Sequence, residues 1–360
     1  MNKSFADQFS QIPNPSGFDY LRILLAILIV LWHGILVSTG DDTWAWDSIF
    51  RPLPGILLPM FFCLSGFLVA ISLERVGILR QFLMLRVLRI VPALCLETVL
   101  SAVILGGFLT SLPLMDYFTS TGFFAYFKNI FGIVQFNLPG VYVDNPLSGV
   151  VNQNLWTLPR EFQCYLLLSI LFMFGLFSRP KVILTILLVA TPLLTWHILP
   201  LYAEKQKTPP TSFCLVLAFF WGVYFYRDRL NLLRSGKLAA VCLACALALL
   251  YRADTQYLAL PFVAYATIYI GTSNLPRKTF LLKGDYSYGL YLYGFPIQQA
   301  SVAILGVSAN YFTTVTCGLV FGLTLAWLSW HYVEHPVLRN RVVIIDRVNR
   351  VLRLPRFMRG

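Results

Sequence analysis

The chain has 360 residues, of which 58% are hydrophobic and only 12% are charged. Soluble domains contain about 45–50% apolar residues, so this composition excludes an ordinary soluble fold and favours a protein embedded in a lipid bilayer. The 28 lysines and arginines outnumber the 16 acidic residues. In a membrane protein, such an excess indicates contact with anionic lipid headgroups and not with nucleic acid.

Apolar stretches recur along the whole chain, and a run of about 18 or more apolar residues is typical of a helix that spans a bilayer. We therefore predict an all-α fold, a polytopic membrane bundle of about ten transmembrane helices. Of the 28 lysines and arginines, 21 fall in alternate connections. Because such residues are retained in the cytoplasm, both termini are predicted to be cytoplasmic. The predicted spans are 18–38, 52–73, 87–110, 155–177, 182–199, 212–226, 238–251, 257–273, 286–307 and 311–333.

The first predicted span carries two ionisable residues, Arg22 and His33, eleven positions apart. Eleven steps of about 100° return to nearly the same helix face, about 16.5 Å further along the axis. Ionisable groups at membrane depth are costly and are candidate functional residues. This pair suits a ligand with phosphates at one end and a reactive group at the other. His33 would accept a proton from a hydroxyl group at the reactive end. The alternatives are a packing histidine and an arginine that extends to the interface.

Residues 74–89, which join the second predicted span to the start of the third, contain four arginines and no lysine. Arginine binds phosphate through two parallel hydrogen bonds, so this composition favours phosphate binding. The same cluster also fits an ordinary signal for cytoplasmic location, and the residues alone leave both interpretations open. The four residues are Arg75, Arg80, Arg86 and Arg89.

The third span carries Glu97 without a visible partner, and we expect a hydrogen bond to a neighbouring helix. The outside segment 111–154 that follows is long and rich in Gly, Pro and aromatic residues. Long connections in compact domains are usually functional. The aromatic residues predict a short helix at the membrane interface, which serves either as a lid or acceptor platform or as a simple anchor at headgroup level.

Glu161 lies six residues after the start of the fourth span, at a depth similar to that predicted for His33. A carboxylate there could orient the imidazole or bind sugar hydroxyls. Pairing with the adjacent Arg160 is a weaker alternative, because neighbouring side chains on a helix diverge by about 100°. The seven cysteines all lie in predicted spans without the spacing of metal ligands, so no metal site is predicted.

Six sequence motifs, in order along the chain, are FDYLRILLAILIVLWHG, MFFCLSGFLVAISLERVG, FLMLRVLRIVPALCLE, LWTLPREFQCYL, YSYGLYLYGFPIQQ and WHYVEHPVL. Together they resemble the integral membrane acyltransferases of acyltransferase family 3, which transfer acyl groups, commonly acetyl, to carbohydrates and other acceptors at the cell envelope. One position departs from the family pattern, because Gly294 stands where relatives often carry His.

The resemblance implies an acyl-CoA donor, such as acetyl-CoA, that enters from the cytoplasm. In this picture Arg22, with Ser65 and the arginine cluster members Arg75, Arg86 and Arg89, binds the donor. His33 is the general base, with Glu161 as the second catalytic residue. Asn154 and Trp156 contact a sugar, since amides and aromatic faces suit its hydroxyl groups and CH faces.

We therefore expect an O-acyltransferase, more specifically an O-acetyltransferase, of the bacterial inner membrane. Its acceptor would be a lipopolysaccharide, exopolysaccharide or oligosaccharide precursor, and residues 1–338 would form the acyltransferase domain, followed by a basic cytoplasmic tail at 339–360. A transporter or flippase of a lipid-linked sugar is the alternative from another class. Transfer to a lipid or small molecule and a covalent acyl-histidine intermediate also stay open.

Overall fold

The computed structural model describes residues 4–12, 14–204, 211–277 and 284–351. These ranges contain helices and isolated β-bridges but no strand, which confirms the prediction of an all-α membrane protein. Residues 352–360 of the predicted basic tail lie outside the described residues. The domain boundary at residue 338 stays a prediction.

The described helices match the predicted spans in position. Six stretches are long and apolar enough to cross a membrane: Gly17–Thr39, Pro52–Val76, Leu79–Leu109, Pro180–His197, Tyr286–Ser308 and Tyr311–Arg339. Three shorter apolar helices accompany them, at Ser212–Arg227, Gly236–Leu250 and Leu260–Gly271. Each of the ten predicted spans overlaps a helix, while the number of bilayer crossings and the location of the termini stay predictions.

Residues 110–157 form one long, irregular connection, which contains two short α-helices. π-helical turns at Leu100–Leu105 and Trp330–Glu334 extend two of the other α-helices. In chain order the α-helices are α1 (Phe5–Gln11), α2 (Gly17–Thr39), α3 (Thr43–Trp46), α4 (Pro52–Val76), α5 (Leu79–Val99), α6 (Gly106–Leu109), α7 (Leu114–Thr119), α8 (Thr121–Tyr126), α9 (Leu158–Met173), α10 (Pro180–Glu204), α11 (Ser212–Arg227), α12 (Gly236–Leu250), α13 (Leu260–Gly271), α14 (Tyr286–Leu305), α15 (Tyr311–Ser329), α16 (His335–Arg339) and α17 (Arg341–Val351).

Close packing of α4 against α11 depends on two glycines. A Cβ atom built on Gly66 would lie 1.9 Å from the carbonyl oxygen of Phe219, and one built on Gly222 would lie 2.0 Å from that of Cys63. Small residues let the backbones of membrane helices approach closely. This crossing fixes the height and rotation of α4, and therefore the position of Ser65.

The long outside segment has two halves with different positions. Its aromatic half forms α7, α8 and a 3₁₀ turn at Phe127–Phe131, and Tyr117 anchors it by donating a hydrogen bond to the carbonyl of Ala102 at 2.6 Å. In the second half, Asn145 donates to the side chain of Gln299 on α14 at 2.7 Å. The predicted short helices are present, and only the second half reaches the cavities described below.

Candidate active site

A first cavity, of about 240 Å³, lies between α2, α4, α5, α9 and α14. We call it the arginine cavity. Four of its polar lining residues are ones the sequence predicts for donor binding, and a fifth is the predicted catalytic carboxylate. The five residues are Arg22, Ser65, Arg86, Arg89 and Glu161.

Asp285, at the start of α14, is the counter-ion of two of these arginines. Its Oδ2 lies 2.7 Å from Nη1 of Arg22 and also pairs with Arg89. Burial acts to raise the pKa of the Asp285 carboxyl, but the guanidinium groups of Arg22 and Arg89 outweigh it and hold the pKa below its usual value. Glu334 lies 3.7 Å from Arg89 and accepts a hydrogen bond from Ser329 at 2.9 Å. The sequence alone did not assign these two acids to the site.

Arg75 does not line the arginine cavity. It is exposed in the last turn of α4, about 80° around the helix from Ser65 at 100° per residue. Ser72, by contrast, lies almost directly in line with Ser65 and accepts a hydrogen bond from Arg86 at 2.9 Å. The position of Arg75 therefore does not support its predicted place among the donor-binding residues.

A second cavity, of about 700 Å³, lies at the other end of α2. We call it the histidine cavity. Its lining includes His33, Asn154 and Trp156, which the sequence predicts for catalysis and acceptor binding, and also Asp42. It contains two further tryptophans, Trp32 and Trp46, whose ring centroids lie 5.7 Å apart.

His33 faces the histidine cavity with its ring edge-to-face against Phe295, at a centroid distance of 5.1 Å. In the described ranges no hydrogen bond to its imidazole is found. Asp42 lines the same cavity and accepts a hydrogen bond from the Trp46 indole at 3.0 Å. Burial raises the pKa of the Asp42 carboxyl.

The predicted pairing of Glu161 with His33 is not formed, because the two residues line different cavities. Glu161 accepts hydrogen bonds from the Tyr165 hydroxyl, one turn further along α9, and from Ser65 at 3.4 Å. Depth along a helix does not fix the direction around it, and the Glu161 side chain turns toward Ser65 and Tyr165. The weak alternative, a pair with Arg160, is not seen either, since Arg160 donates to Gln163 at 2.9 Å.

The two cavities adjoin, since Leu58 and Tyr291 line both. Behind this junction the buried Glu97 accepts hydrogen bonds from Ser101 and Asn152, each at 2.9 Å. Ser101 lies in the π-helical turn that extends α5 and Asn152 lies in the outside segment, so the expected hydrogen bond to a neighbouring helix is not the one that forms. The side-chain oxygen of Asn152 accepts from the backbone N–H of Asn154 at 3.1 Å. Glu97 thus braces the 3₁₀ turn Gln153–Thr157 that forms part of both walls.

Comparison with known families identifies the chain. Residues 16–331 match the acyltransferase domain of acyltransferase family 3. The chain belongs to this family.

Three named proteins are similar to this acyltransferase 3 family member over most of its length. An O-acetyl transferase of Shigella phage Sf6 is 28% identical over 333 residues, which cover 88% of this chain and 94% of the relative. Nodulation protein 10 of Rhizobium leguminosarum bv. viciae is 26% identical, covering 92% and 95%. The peptidoglycan O-acetyltransferase OatA of Listeria monocytogenes is 24% identical, covering 90% of this chain and 56% of OatA. No solved structure matches the chain.

Membership in the acyltransferase 3 family makes this protein a membrane acyltransferase. Gly294, which stands where relatives often carry His, has a packing explanation. A Cβ atom at this position would lie 2.8 Å from a methyl carbon of Val30 on α2. The described residues hold no group of three or more His, Cys, Asp or Glu side chains suited to a metal ion.

Proposed function

We propose that this protein is an acyl-CoA-dependent O-acetyltransferase that modifies a hydroxyl group of a cell-envelope glycan. One observation carries the proposal: one guanidinium group and the imidazole project from the same helix, α2, into two adjoining cavities. Arg22 faces the arginine cavity and His33 faces the histidine cavity. Such an arrangement suits a donor bound by its phosphates at one end and attacked at the other.

The donor is assigned to the arginine cavity, because its three guanidinium groups suit the phosphates of coenzyme A. Arg22 and Arg89 share the carboxylate of Asp285, so they can exchange one anion for another without being left unpaired. The predicted cytoplasmic position of this end of α2 agrees with the location of acyl-CoA.

The acceptor is assigned to the histidine cavity, because its lining suits a carbohydrate. Three tryptophans offer flat apolar surfaces to the CH faces of a sugar ring, and the carboxamide of Asn154 and the carboxyl of Asp42 offer partners to its hydroxyl groups. The acetyl-transferring relatives, one of them named for its action on peptidoglycan, support this choice of acceptor.

In the proposed reaction the acceptor oxygen attacks the thioester carbonyl carbon while His33 takes the hydroxyl proton. A C–O bond forms, the carbonyl π electrons move to its oxygen, and the resulting oxyanion then expels the thiolate of coenzyme A. The thiolate receives the proton from the His33 imidazolium. Glu161, because of its position, is assigned to the donor cavity and not to the orientation of His33.

Bacterial inner membranes containing the protein, incubated with acetyl-CoA labelled in the acetyl group, test this proposal. Incorporation of label into glycan, with a matching mass increment of the isolated glycan, is the expected result. Movement of a glycan without label would favour a flippase, and labelled lipid or small molecules without labelled glycan would reassign the acceptor.

A further inference from the structure

Tyr291 occupies the junction between the two cavities. It lies on α14, faces both cavities together with Leu58, and is half-buried. Leu58 has no polar group in its side chain, so Tyr291 brings a hydroxyl group to the place where a donor in one cavity meets an acceptor in the other.

The phenol group of Tyr291 is held in place from two sides. Its oxygen lies 2.7 Å from the hydroxyl oxygen of Thr157 and 3.1 Å from the carbonyl oxygen of Asn154, to which it donates. The Asn154 side chain in turn donates to the backbone carbonyl of Tyr291 at 2.5 Å. These contacts fix the ring, whereas the hydroxyl hydrogen can turn about the C–O bond to face a different acceptor.

The hydroxyl hydrogen of Tyr291 can turn to a ligand without leaving its present acceptor unpaired. The carbonyl oxygen of Asn154 also lies 3.1 Å from Thr157, whose hydroxyl donates to it. One N–H of the Asn154 carboxamide is already engaged by the Tyr291 carbonyl, and Asn154 lines the histidine cavity whereas Thr157 lines the arginine cavity. Of the three residues, Tyr291 is therefore the hydrogen-bond donor that lines both cavities and faces their junction.

We propose that Tyr291 is a catalytic residue whose hydroxyl donates a hydrogen bond to the thioester carbonyl oxygen as it becomes an oxyanion. This inference rests on the proposed function, since it needs the thioester to lie at the junction. The O–H bond of Tyr291 stays intact throughout: the acceptor C–O bond forms, the C–S bond breaks, and the proton passes from the acceptor through His33 to the thiolate. Fixed donors aimed at developing negative charge are among the strongest contributions to acyl-transfer catalysis.

The primary test compares Tyr291→Phe with Thr157→Val in the purified full-length protein in lipid nanodiscs, with acetyl-CoA as donor. Tyr291→Phe should lower kcat about 100-fold with the KM for acetyl-CoA nearly unchanged, as for loss of one oxyanion donor. Thr157→Val removes the hydrogen-bond partner of Tyr291 but leaves its hydroxyl, so kcat should fall less than about tenfold. Equal losses in both variants would mean that Tyr291 only positions the wall, and retention of kcat by Tyr291→Phe would also overturn the inference.

A second variant covers the case in which Tyr291→Phe does not fold. Fluorinated tyrosine at position 291 retains the ring and the hydroxyl group but loses its proton at lower pH. Because a more acidic hydroxyl is a stronger hydrogen-bond donor, kcat at neutral pH should be retained or raised, and a loss of about 100-fold with the hydroxyl still present would overturn the assignment. If the unmodified protein transfers no label from acetyl-CoA, the proposed function fails; if only the position-291 results disagree, the inference fails alone.

Discussion

The arginine cavity and the histidine cavity lie at opposite ends of α2, yet their charged groups are satisfied differently. Arg22 and Arg89 are paired with Asp285, whereas among the described residues His33 has no hydrogen-bond partner and packs edge-to-face against Phe295. Paired cations are ready to exchange a carboxylate for a phosphate, and an imidazole that is not engaged by a protein group is available for proton transfer. Under the proposed function, this difference assigns donor binding to one end of α2 and the reaction to the other.

Removing the imidazole at the histidine end of α2 should have the largest effect on activity. His33→Ala should lower kcat by about 10²–10⁴, the usual contribution of general acid–base catalysis, without changing the KM for acetyl-CoA. Steady-state rates in nanodiscs measure both constants. His197→Ala is the matched control, because His197 is exposed on α10 and should retain full activity. Retained turnover by His33→Ala would remove this residue from the mechanism.

Removing one arginine should chiefly weaken donor binding. Arg86→Gln should raise the KM for acetyl-CoA about 10–100-fold, since a hydrogen bond to a charged group contributes about 1.5–3 kcal/mol, and kcat should change little. Arg75→Gln is the control, because Arg75 is exposed and away from the cavity. Equal effects in the two variants would contradict the placement of the donor.

On the acceptor side, Trp156→Ala should raise the KM for the glycan about tenfold, as expected for loss of one stacking surface, and leave the KM for acetyl-CoA unchanged. Trp196, which is 76% exposed on α10, provides the control in Trp196→Ala. A change confined to the donor KM would instead place the donor next to Trp156.

The smallest expected effect is on stability. Because the pKa of Asp285 lies below its usual value in the folded protein, its ion pairs stabilise the fold at neutral pH and are lost as the pH falls through that lowered pKa. Asp285→Asn should therefore lower the Tm by about 2–4 °C at pH 7. The difference from the wild type should shrink below about pH 4. Thermal unfolding in nanodiscs measures it, and a difference that grows at acid pH would contradict this assignment.

Sequence patterns predicted the helix class correctly because they depend on simple geometry. Apolar runs need a bilayer, and the eleven-residue spacing brings Arg22 and His33 onto one helix face whatever the neighbouring helices do. Asn154 and Trp156 line one cavity and Arg86 and Arg89 line the other. This separation agrees with the predicted topology, which puts the two pairs at opposite ends of their spans.

The rest depends on rotation of one helix against another, which the sequence does not encode locally. Glu161 lies at a plausible depth but turns toward Ser65, and Arg75 lies off the cavity face of α4. Tyr291 has neighbours of the same aromatic kind along α14, so nothing in the pattern distinguishes it. One signal was available. Asp285 is an isolated acidic residue at the start of the predicted span 286–307, on the side of the membrane predicted for the arginine cluster, and it indicates a counter-ion for those arginines.

The meeting point of the two cavities at Leu58 and Tyr291 also bears on permeability. In the proposed reaction coenzyme A stays on one side and sugar on the other, so only a two-carbon fragment changes compartment in each turnover. Neither large hydrophilic molecule crosses, so the enzyme can export acetyl groups while the ion gradients maintained by the membrane stay intact.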